Sequence, residues 1–184
     1  MNPWQLRLAT RILRSGGVIA YPTEAVFGLG CMPGFPDAVA RILALKRRKP
    51  GSGLILVAAE IEQVQDLIDV SGINLEPLMA SWPGPVSWVV PARNTAPRWV
   101  TGDHGSIAIR ISAHPVVQAL CYTTGPLVST SANPSGRQPA RSASRVRAYF
   151  PRGLDYIVPG TIEGAAAPSE IRDALSGAVL RKGG

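Results

Sequence analysis

Residues 127–138 read LVSTSANPSGRQ, so that an apolar strand end runs directly into hydroxyl groups and one amide. Leu127 and Val128 are suited to a buried strand, and the serines and the asparagine after them are short hydrogen-bonding side chains. Open α/β sheets bind ligands beyond the carboxyl ends of their strands. The stretch therefore predicts an α/β fold with a polar site at this strand end. The same residue types also dominate ordinary turns, so an unspecialised loop stays equally open.

The length and composition favour one globular domain over residues 1–184. Of these 184 residues 46% are hydrophobic, which is enough for a substantial core. No stretch approaches the roughly 18 apolar residues of a membrane span, and the amino terminus lacks the order of a secretory signal. We therefore expect a cytoplasmic protein without a membrane partner.

The net charge of +7 is unevenly distributed. Between residues 77 and 152 the only acid is Asp103, against eight arginines: Arg93, Arg98, Arg110, Arg137, Arg141, Arg145, Arg147 and Arg152. A basic surface attracts polyanions, which makes nucleotides, pyrophosphate or RNA natural partners. Solubility alone is the simpler explanation of the same excess.

Hydrophobic periodicity predicts alternating helices and strands. We expect helices near residues 2–14, 36–48, 60–68, 115–122 and 142–150, and strands near 18–21, 54–58, 86–92, 106–111 and 127–129. In the strand at 106–111, isoleucines alternate with other residues, so Ser106 and Arg110 should project from the same face. Hairpin-like connections near 86–111 and 170–181 favour a mixed sheet over an all-parallel one.

Several kinds of catalytic site are excluded by the sequence. The chain has no Walker phosphate loop and no dinucleotide-binding glycine pattern. Cys31 and Cys121 match neither a zinc-ligand spacing nor a disulfide framework, and there are only two histidines. We therefore expect no protein-held metal. What remains suits phosphate chemistry by positioning and charge neutralisation, although the cations at 46–49 could equally cap the end of a helix.

Seven short motifs occur in one order along nearly the whole chain: YPTEAVFGLG at 21–30, KRRKP at 46–50, WPGPV at 82–86, IAIRI at 107–111, STSAN at 129–133, PSEIRD at 168–173 and LRKG at 180–183. Together they resemble the YrdC family, in particular its short bacterial members, the threonylcarbamoyl-AMP synthases. The resemblance implies an α/β fold with an open, twisted mixed sheet, flanking helices and a basic concave groove.

The resemblance also implies a reaction. L-threonine, bicarbonate and ATP give threonylcarbamoyl-AMP and pyrophosphate, and partner proteins use the product to modify adenosine 37 of tRNA. Mg²⁺ would accompany the ATP, held mainly by phosphates and water.

The family's site residues are carried over by motif. The threonine side takes Thr23, Arg110, Ser129 and Ser169, with Arg110 clamping the carboxylate. Lys46 and Arg48 are expected to be catalytic. The nucleotide side takes Lys46, Arg48, Ser106, Ser131, Asn133 and Arg181.

The chain departs from the family pattern at Ala25, Phe27 and Pro139, which stand where many relatives carry hydroxyl groups, and at residues 51–53, where GSG replaces the more polar spacer of longer relatives. Two other functions remain open. The basic groove could hold RNA during tRNA or rRNA maturation without any turnover. A related domain of hydrogenase-maturation proteins makes carbamoyl-adenylate, but it sits in much larger chains.

Overall fold

The fold is that of a computed structural model, which describes residues 1–164 and 169–183. Pro168, the first residue of one motif, lies outside the described residues. The helices are Pro3–Arg14 (α1), Pro36–Lys46 (α2), Glu76–Ser81 (α3), Arg98–Thr101 (α4), Pro115–Thr124 (α5) and Ala143–Tyr149 (α6). The strands are Ile19–Pro22 (β1), Phe27–Cys31 (β2), Ile55–Ala58 (β3), Val86–Pro91 (β4), Ser106–Ile111 (β5), Leu127–Ser131 (β6), Tyr156–Ile157 (β7), Glu170–Asp173 (β8) and Val179–Arg181 (β9).

All of the described strands form one sheet, in the order β7-β1-β2-β6-β3-β5-β4-β8-β9. β1 pairs with β2, β2 with β6, β6 with β3, β5 with β4 and β8 with β9 in antiparallel fashion. The pairs β1–β7, β3–β5 and β4–β8 are parallel. The prediction of a mixed sheet is therefore confirmed, including the antiparallel connections near 86–111 and 170–181.

Local sequence signals explain where several helices begin and end. Asn2 and Gln5 form a capping box at the start of α1, with both hydrogen bonds 2.9 Å long. His114 caps α5, since its Nδ1 accepts a hydrogen bond from the Val116 N–H. α2 ends at Lys46, because Arg47 adopts a left-handed backbone conformation with φ of 53°. Within residues 1–164 and 169–183, no helix has both the length and the apolar character needed to cross a bilayer.

The two faces of the sheet are covered unequally. On one face, Ile107 and Ile109 of β5 pack with Leu56 of β3 and with Val39 and Ile42 of α2. On the other face, α1 and α5 pack over β1, β6 and β3 but leave the β5, β4 and β8 side open. The uncovered part carries Ser106 and Arg110, so the predicted facing of β5 is confirmed.

One predicted helix is wrong. Residues 60–68 form only a single 3₁₀ turn at Ile61–Gln63. The Gln63 amide accepts a hydrogen bond from Ala59 N (2.9 Å) and donates one to Cys121 O (2.8 Å). These bonds anchor the turn to α5. Val64 and Ile68 are buried, so the apolar spacing that predicted a helix here reflects burial in a turn.

Candidate functional site

A cavity of about 850 Å³ occupies the uncovered face of the sheet. Its volume lies within the roughly 300–1,000 Å³ typical of ligand pockets. All four residues predicted for the threonine side line it: Thr23, Arg110, Ser129 and Ser169. From the nucleotide side, the cavity is lined by Arg48, Ser106, Ser131 and Arg181. Eight of the ten predicted site residues are thus brought together.

The strand register brings these side chains onto one surface. Ser129 of β6 lies opposite Ile55 of β3, which lies opposite Ala108 of β5. Adjacent strands are about 4.8 Å apart, so β6 and β5 are separated by about 10 Å. Ser129 and Ser131 face the cavity from β6, and Ser106 and Arg110 face it from β5. Residues distant in sequence therefore form one continuous lining.

A buried charge pair forms one end of the cavity. Arg110 Nη2 pairs with Glu24 Oε2, and both side chains are only 11% exposed. Arg110 Nε also donates to Gly84 O at 3.1 Å, and Ser112 Oγ donates to Glu24 Oε1 at 2.8 Å. Within the described residues, the partner of Glu24 Oε2 is the Arg110 guanidinium, whose Nη2 faces it in the ion pair. These contacts fix the Arg110 side chain.

The protonation state of Glu24 follows from the same contacts. Burial acts to raise the pKa of its carboxyl, but the Arg110 charge and the hydrogen bonds from Arg110 and Ser112 outweigh burial. The pKa therefore lies below its ordinary value of 4.5, and Glu24 is ionised at neutral pH. Among the residues that the structure describes, Arg110 Nη1 has no acceptor, so it is available to a ligand in the cavity.

Thr23 serves both the turn and the cavity. Its Oγ1 donates to Val26 O at 2.7 Å, and its backbone N–H donates to the same oxygen at 3.0 Å. These bonds close the turn between β1 and β2 and hold Thr23 and Glu24 against the cavity. With its hydrogen used in this turn, the Thr23 hydroxyl offers the cavity an acceptor.

A second part of the cavity wall, called the cationic end below, is formed by Arg48 and Arg181. Arg181 Nη2 donates to Ser169 O at 2.7 Å, which holds its guanidinium at the wall. Burial lowers the pKa of Arg48, and burial followed by the Arg48 charge lowers the pKa of Arg181. In the part of the chain that the structure describes, neither arginine forms an ion pair. Two neighbouring guanidinium groups without a counter-charge create a favourable site for a polyanion.

Lys46 and Asn133, the other two predicted nucleotide ligands, lie beside the cavity but are not among the described residues that line it. Lys46 Nζ donates to the carbonyl oxygens of Ser131 and Asn133, the latter at 3.0 Å. Asn133 Oδ1 accepts from Ser131 Oγ at 2.6 Å, and its Nδ2 donates to Arg137 O at 2.7 Å. Both side chains therefore hold the loop after β6 in shape.

The Lys46 ammonium is buried, with 6% of the residue exposed. Burial, followed by the nearby Arg48 charge, lowers the pKa of Lys46 to about 8. Its position at the last turn of α2 thus adds positive charge behind the cationic end of the cavity.

Two loops meet at this cationic end. Leu54 N donates to Val100 O at 2.8 Å, and Asp103 N donates to Gly51 O at 3.1 Å. Gly102 has a φ of 68°, and a Cβ there would stand 2.2 Å from Gly51 O. Only glycine permits so close an approach. The glycines of the 51–53 segment, which depart from the spacer of longer relatives, therefore suit a tight contact between loops.

The departures from the family pattern fall in two environments. Ala25 and Pro139 line the cavity, where each presents an apolar group. Phe27 is buried and packs with Val146 and Phe150 near α6. A hydroxyl group on the Phe27 ring would therefore lie in the core and not in the cavity.

Two residues at the cavity, Glu24 and Tyr21, are not among those predicted from the sequence to form the site. The only indication in the sequence that Glu24 belongs to the site is its position next to Thr23 in the first motif. Tyr21 Oη donates to Ser129 Oγ at 2.8 Å, a contact between β1 and β6 that no sequence spacing reveals.

Relatives of known name match the chain along its length. The family model Sua5_yciO_yrdC, described as "Telomere recombination", matches residues 11–183. The threonylcarbamoyl-AMP synthase of Pseudomonas paraeruginosa is 52% identical over 182 residues, which are 98% of each chain. That of Halorhodospira halophila is 54% identical over 183 residues, covering 98% of this chain and 96% of the relative.

Solved structures share the fold. P. abyssi Sua5, crystallised with L-threonine, superposes with a TM-score of 0.92 at 32% identity. The match covers 100% of this chain and 55% of Sua5, so the chain spans just over half the length of that protein. E. coli YciO has the same fold, with a TM-score of 0.85 at 24% identity over 99% of this chain and 91% of YciO. The fold, the motifs and these matches agree: the chain belongs to the Sua5/YciO/YrdC family.

Proposed function

We propose that this chain is a threonylcarbamoyl-AMP synthase, which converts L-threonine, bicarbonate and ATP to threonylcarbamoyl-AMP and pyrophosphate. The observation that carries the proposal is one cavity with two different ends. One part of its wall carries the Glu24–Arg110 pair, and another carries Arg48 and Arg181, which form no ion pair with any residue that the structure describes. The names of relatives at about half identity over the full length support it.

The Arg110 end suits an amino acid. Arg110 Nη1 can donate to the threonine carboxylate, while Nε and Nη2 stay bound to Gly84 and Glu24. Ser129 adds a hydroxyl group to the wall, and Ser169, whose carbonyl oxygen accepts from Arg181, adds another. The threonine complex of P. abyssi Sua5 supports an amino-acid site in this fold.

The cationic end suits the phosphates of ATP. Arg48 and Arg181 face the cavity and act as direct phosphate ligands, each charge-assisted hydrogen bond contributing about 1.5–3 kcal/mol. Ser106 and Ser131 supply neutral donors to the nucleotide. Lys46 does not contact the phosphates directly. It contributes its positive charge and holds the loop that carries Asn133.

The chemistry needs positioning more than acid–base groups. Threonine nitrogen first attacks the carbon of bicarbonate, and water leaves, which gives N-carboxy-threonine. An oxygen of the new carboxylate then attacks the α-phosphorus, and the bond from that phosphorus to the β-phosphate oxygen breaks. Negative charge grows on pyrophosphate as it leaves. The Arg48 and Arg181 guanidinium groups stabilise that charge.

We include Mg²⁺ and downstream partners in the proposal. Among the described residues, no three His, Cys, Asp or Glu side chains are grouped closely enough to hold an ion. Mg²⁺ bound to ATP would therefore be held mainly by phosphates and water, and it would neutralise phosphate charge. The product is an activated acyl group, so partner proteins that transfer it to tRNA would consume it. A cytoplasmic location, where ATP and tRNA occur together, fits this role.

The direct test is a turnover assay on the purified chain. Pyrophosphate release is measured with ATP, Mg²⁺, threonine and bicarbonate, and then with each omitted, while mass spectrometry follows the product. We expect release that requires both threonine and bicarbonate. Release without threonine, or tRNA binding with no turnover, would overturn the proposal and favour an RNA-binding module.

A further inference from the structure

Tyr21 reaches the cavity wall across an intervening strand. It lies on β1 and Ser129 lies on β6, with β2 between them. On β2, Gly28 lies opposite Tyr21, and Gly30 lies opposite Ser129. A Cβ at Gly28 would stand 3.3 Å from the Tyr21 ring, and one at Gly30 would stand 2.7 Å from it. The Tyr21 ring therefore packs where the side chains of residues 28 and 30 would be if these were not glycines.

The contact fixes the orientation of the Ser129 hydroxyl. Tyr21 is fully buried, and its Oη donates to Ser129 Oγ at 2.8 Å. Burial raises the pKa of Tyr21 far above its ordinary value, so the phenol stays protonated and remains a donor. Ser129 Oγ donates to no acceptor within residues 1–164 and 169–183, so its single hydrogen is left for the cavity that it lines.

Along the strands, Ser129 lies between the level of Arg110 and the level of Ser131, because Leu127 and Arg110 both lie opposite Val57. Arg110 is on β5, two strands away, and Ser131 is the next residue of β6 on the same face. Same-face neighbours on a strand are about 6.6 Å apart. A donor at Ser129 is thus placed between the amino-acid end and the nucleotide side. In the proposed reaction, the group between these ends is the N-carboxy group.

We propose that Tyr21 is a positioning residue, which makes Ser129 a hydrogen-bond donor to the N-carboxy group formed from threonine and bicarbonate. The inference rests on the proposed function. A hydroxyl that accepts one hydrogen bond donates a stronger one, because the two bonds polarise each other. Without the phenol, the Ser129 hydroxyl turns freely and can present its lone pairs to the anion instead.

The test is a double-mutant cycle with Tyr21→Phe, Ser129→Ala and the pair. Tyr21→Phe keeps the ring on the glycines and removes only the hydroxyl. We expect it to lower kcat/KM for bicarbonate about tenfold, which corresponds to one hydrogen bond of about 1.4 kcal/mol, with the ATP Kd unchanged. In the Ser129→Ala background, Tyr21→Phe should cause no further loss. Tyr156→Phe, a partly buried tyrosine on β7, is the matched control.

Thermal unfolding of all variants separates this role from a structural one. A merely structural bond would lower Tm without changing kcat/KM for bicarbonate in the folded protein. If Tyr21→Phe folds poorly, Gly28→Ala gives a second variant, since its methyl would contact both the Tyr21 ring and Ser129 Oγ while the phenol is retained. It too should lower kcat/KM for bicarbonate.

The outcomes are distinct. A wild-type chain without threonine-dependent turnover overturns the proposed function, and the inference falls with it. An active wild type with an unchanged Tyr21→Phe variant overturns the inference alone. So does an equal loss from Tyr21→Phe with and without Ser129, because Tyr21 would then act independently. A change confined to the KM for threonine would assign the donor to the α-carboxylate and overturn it as well.

Discussion

At the level of single residues, the Glu24–Arg110 pair determines what Arg110 can do. An isolated arginine would be free to swing, whereas this one is held by Glu24 and by Gly84 O and keeps one nitrogen for a ligand. Breaking a buried pair leaves a charge without compensation, which costs about 3–5 kcal/mol. Function and stability are therefore linked at this residue.

Arg110→Ala should abolish threonine-dependent pyrophosphate release, because it removes the guanidinium group that donates to the threonine carboxylate. It should leave most of the ATP affinity, because the phosphate ligands are intact. It should also destabilise the fold through the unpaired Glu24. The double variant with Glu24→Gln should recover part of that stability but no turnover. Arg152→Ala, at an exposed position, is the control. Turnover that survives Arg110→Ala would remove Arg110 from the site.

The lowered pKa of Glu24 predicts how stability depends on pH. In the unfolded chain the carboxyl titrates near 4.5, and in the folded chain it titrates lower. Its contribution is therefore fully present above about pH 4.5 and is lost as the pH falls through the folded pKa. Urea unfolding between pH 3 and 7 should show the stability difference between wild type and Glu24→Gln shrinking on acidification. Parallel curves would contradict the ion pair.

At the level of elements, β5 separates stability from function by alternation. Ile107 and Ile109 face the core, and Ser106 and Arg110 face the cavity. The structure confirms this pattern because a strand with one buried face must place successive side chains on opposite sides.

Ile109→Ala should therefore lower the free energy of unfolding by about 2–5 kcal/mol, since it opens a cavity at a fully buried site. Ser106→Ala, on the other face of the same strand, should change stability by less than about 0.5 kcal/mol but raise the KM for ATP. Chemical denaturation and steady-state kinetics check both variants. A harmless Ile109→Ala would reverse the assignment of the two faces.

Much of the fold could be predicted from sequence, because caps and alternation are local. Helix α1, with its Asn2 cap, and strand β5 have their predicted places. β2 was missed because its sequence, FGLGC, contains two glycines that weaken any strand signal. Those glycines have a tertiary role, since they accommodate Tyr21.

The site could be predicted only in part. The family motifs gave eight of the residues that line the cavity, but not the partners of those residues. Lys46 was expected to meet phosphate, and the structure places its Nζ among backbone carbonyl oxygens. Such contacts depend on how the loop after β6 packs against the end of α2, and this packing cannot be predicted from the spacing of residues along the chain.

At the level of the whole molecule, two groups of arginines lie in separate places. Arg48, Arg110 and Arg181 line the cavity, whereas Arg145 and Arg147 lie exposed on α6, where Arg145 sits 5.4 Å from the centre of the Tyr149 ring. The α6 arginines are not among the described residues that line the cavity. One set can therefore be altered without the other.

Arg48→Ala and Lys46→Ala should each lower kcat/KM by about ten- to a thousandfold, or roughly 1.4–4 kcal/mol of transition-state stabilisation. Reversing the charges of Arg145 and Arg147 together should leave turnover unchanged. If the α6 surface meets RNA, the same reversal should weaken tRNA binding and flatten its salt dependence. The measurements are turnover and tRNA binding at two salt concentrations. Normal turnover in both Lys46→Ala and Arg48→Ala would contradict the synthase proposal.

The choice of arginine at the cavity wall has a chemical consequence. The proposed product is a mixed anhydride that acylates nearby amines and thiolates. The cations that line the described wall are guanidinium groups, which are not nucleophilic at neutral pH. Lys46, the neighbouring amine, has a pKa lowered to about 8, but its Nζ is directed at carbonyl oxygens beside the cavity, and burial raises the pKa of both cysteine thiols to about 12. The cavity is therefore poorly reactive toward its own product, which can leave without acylating the protein that made it.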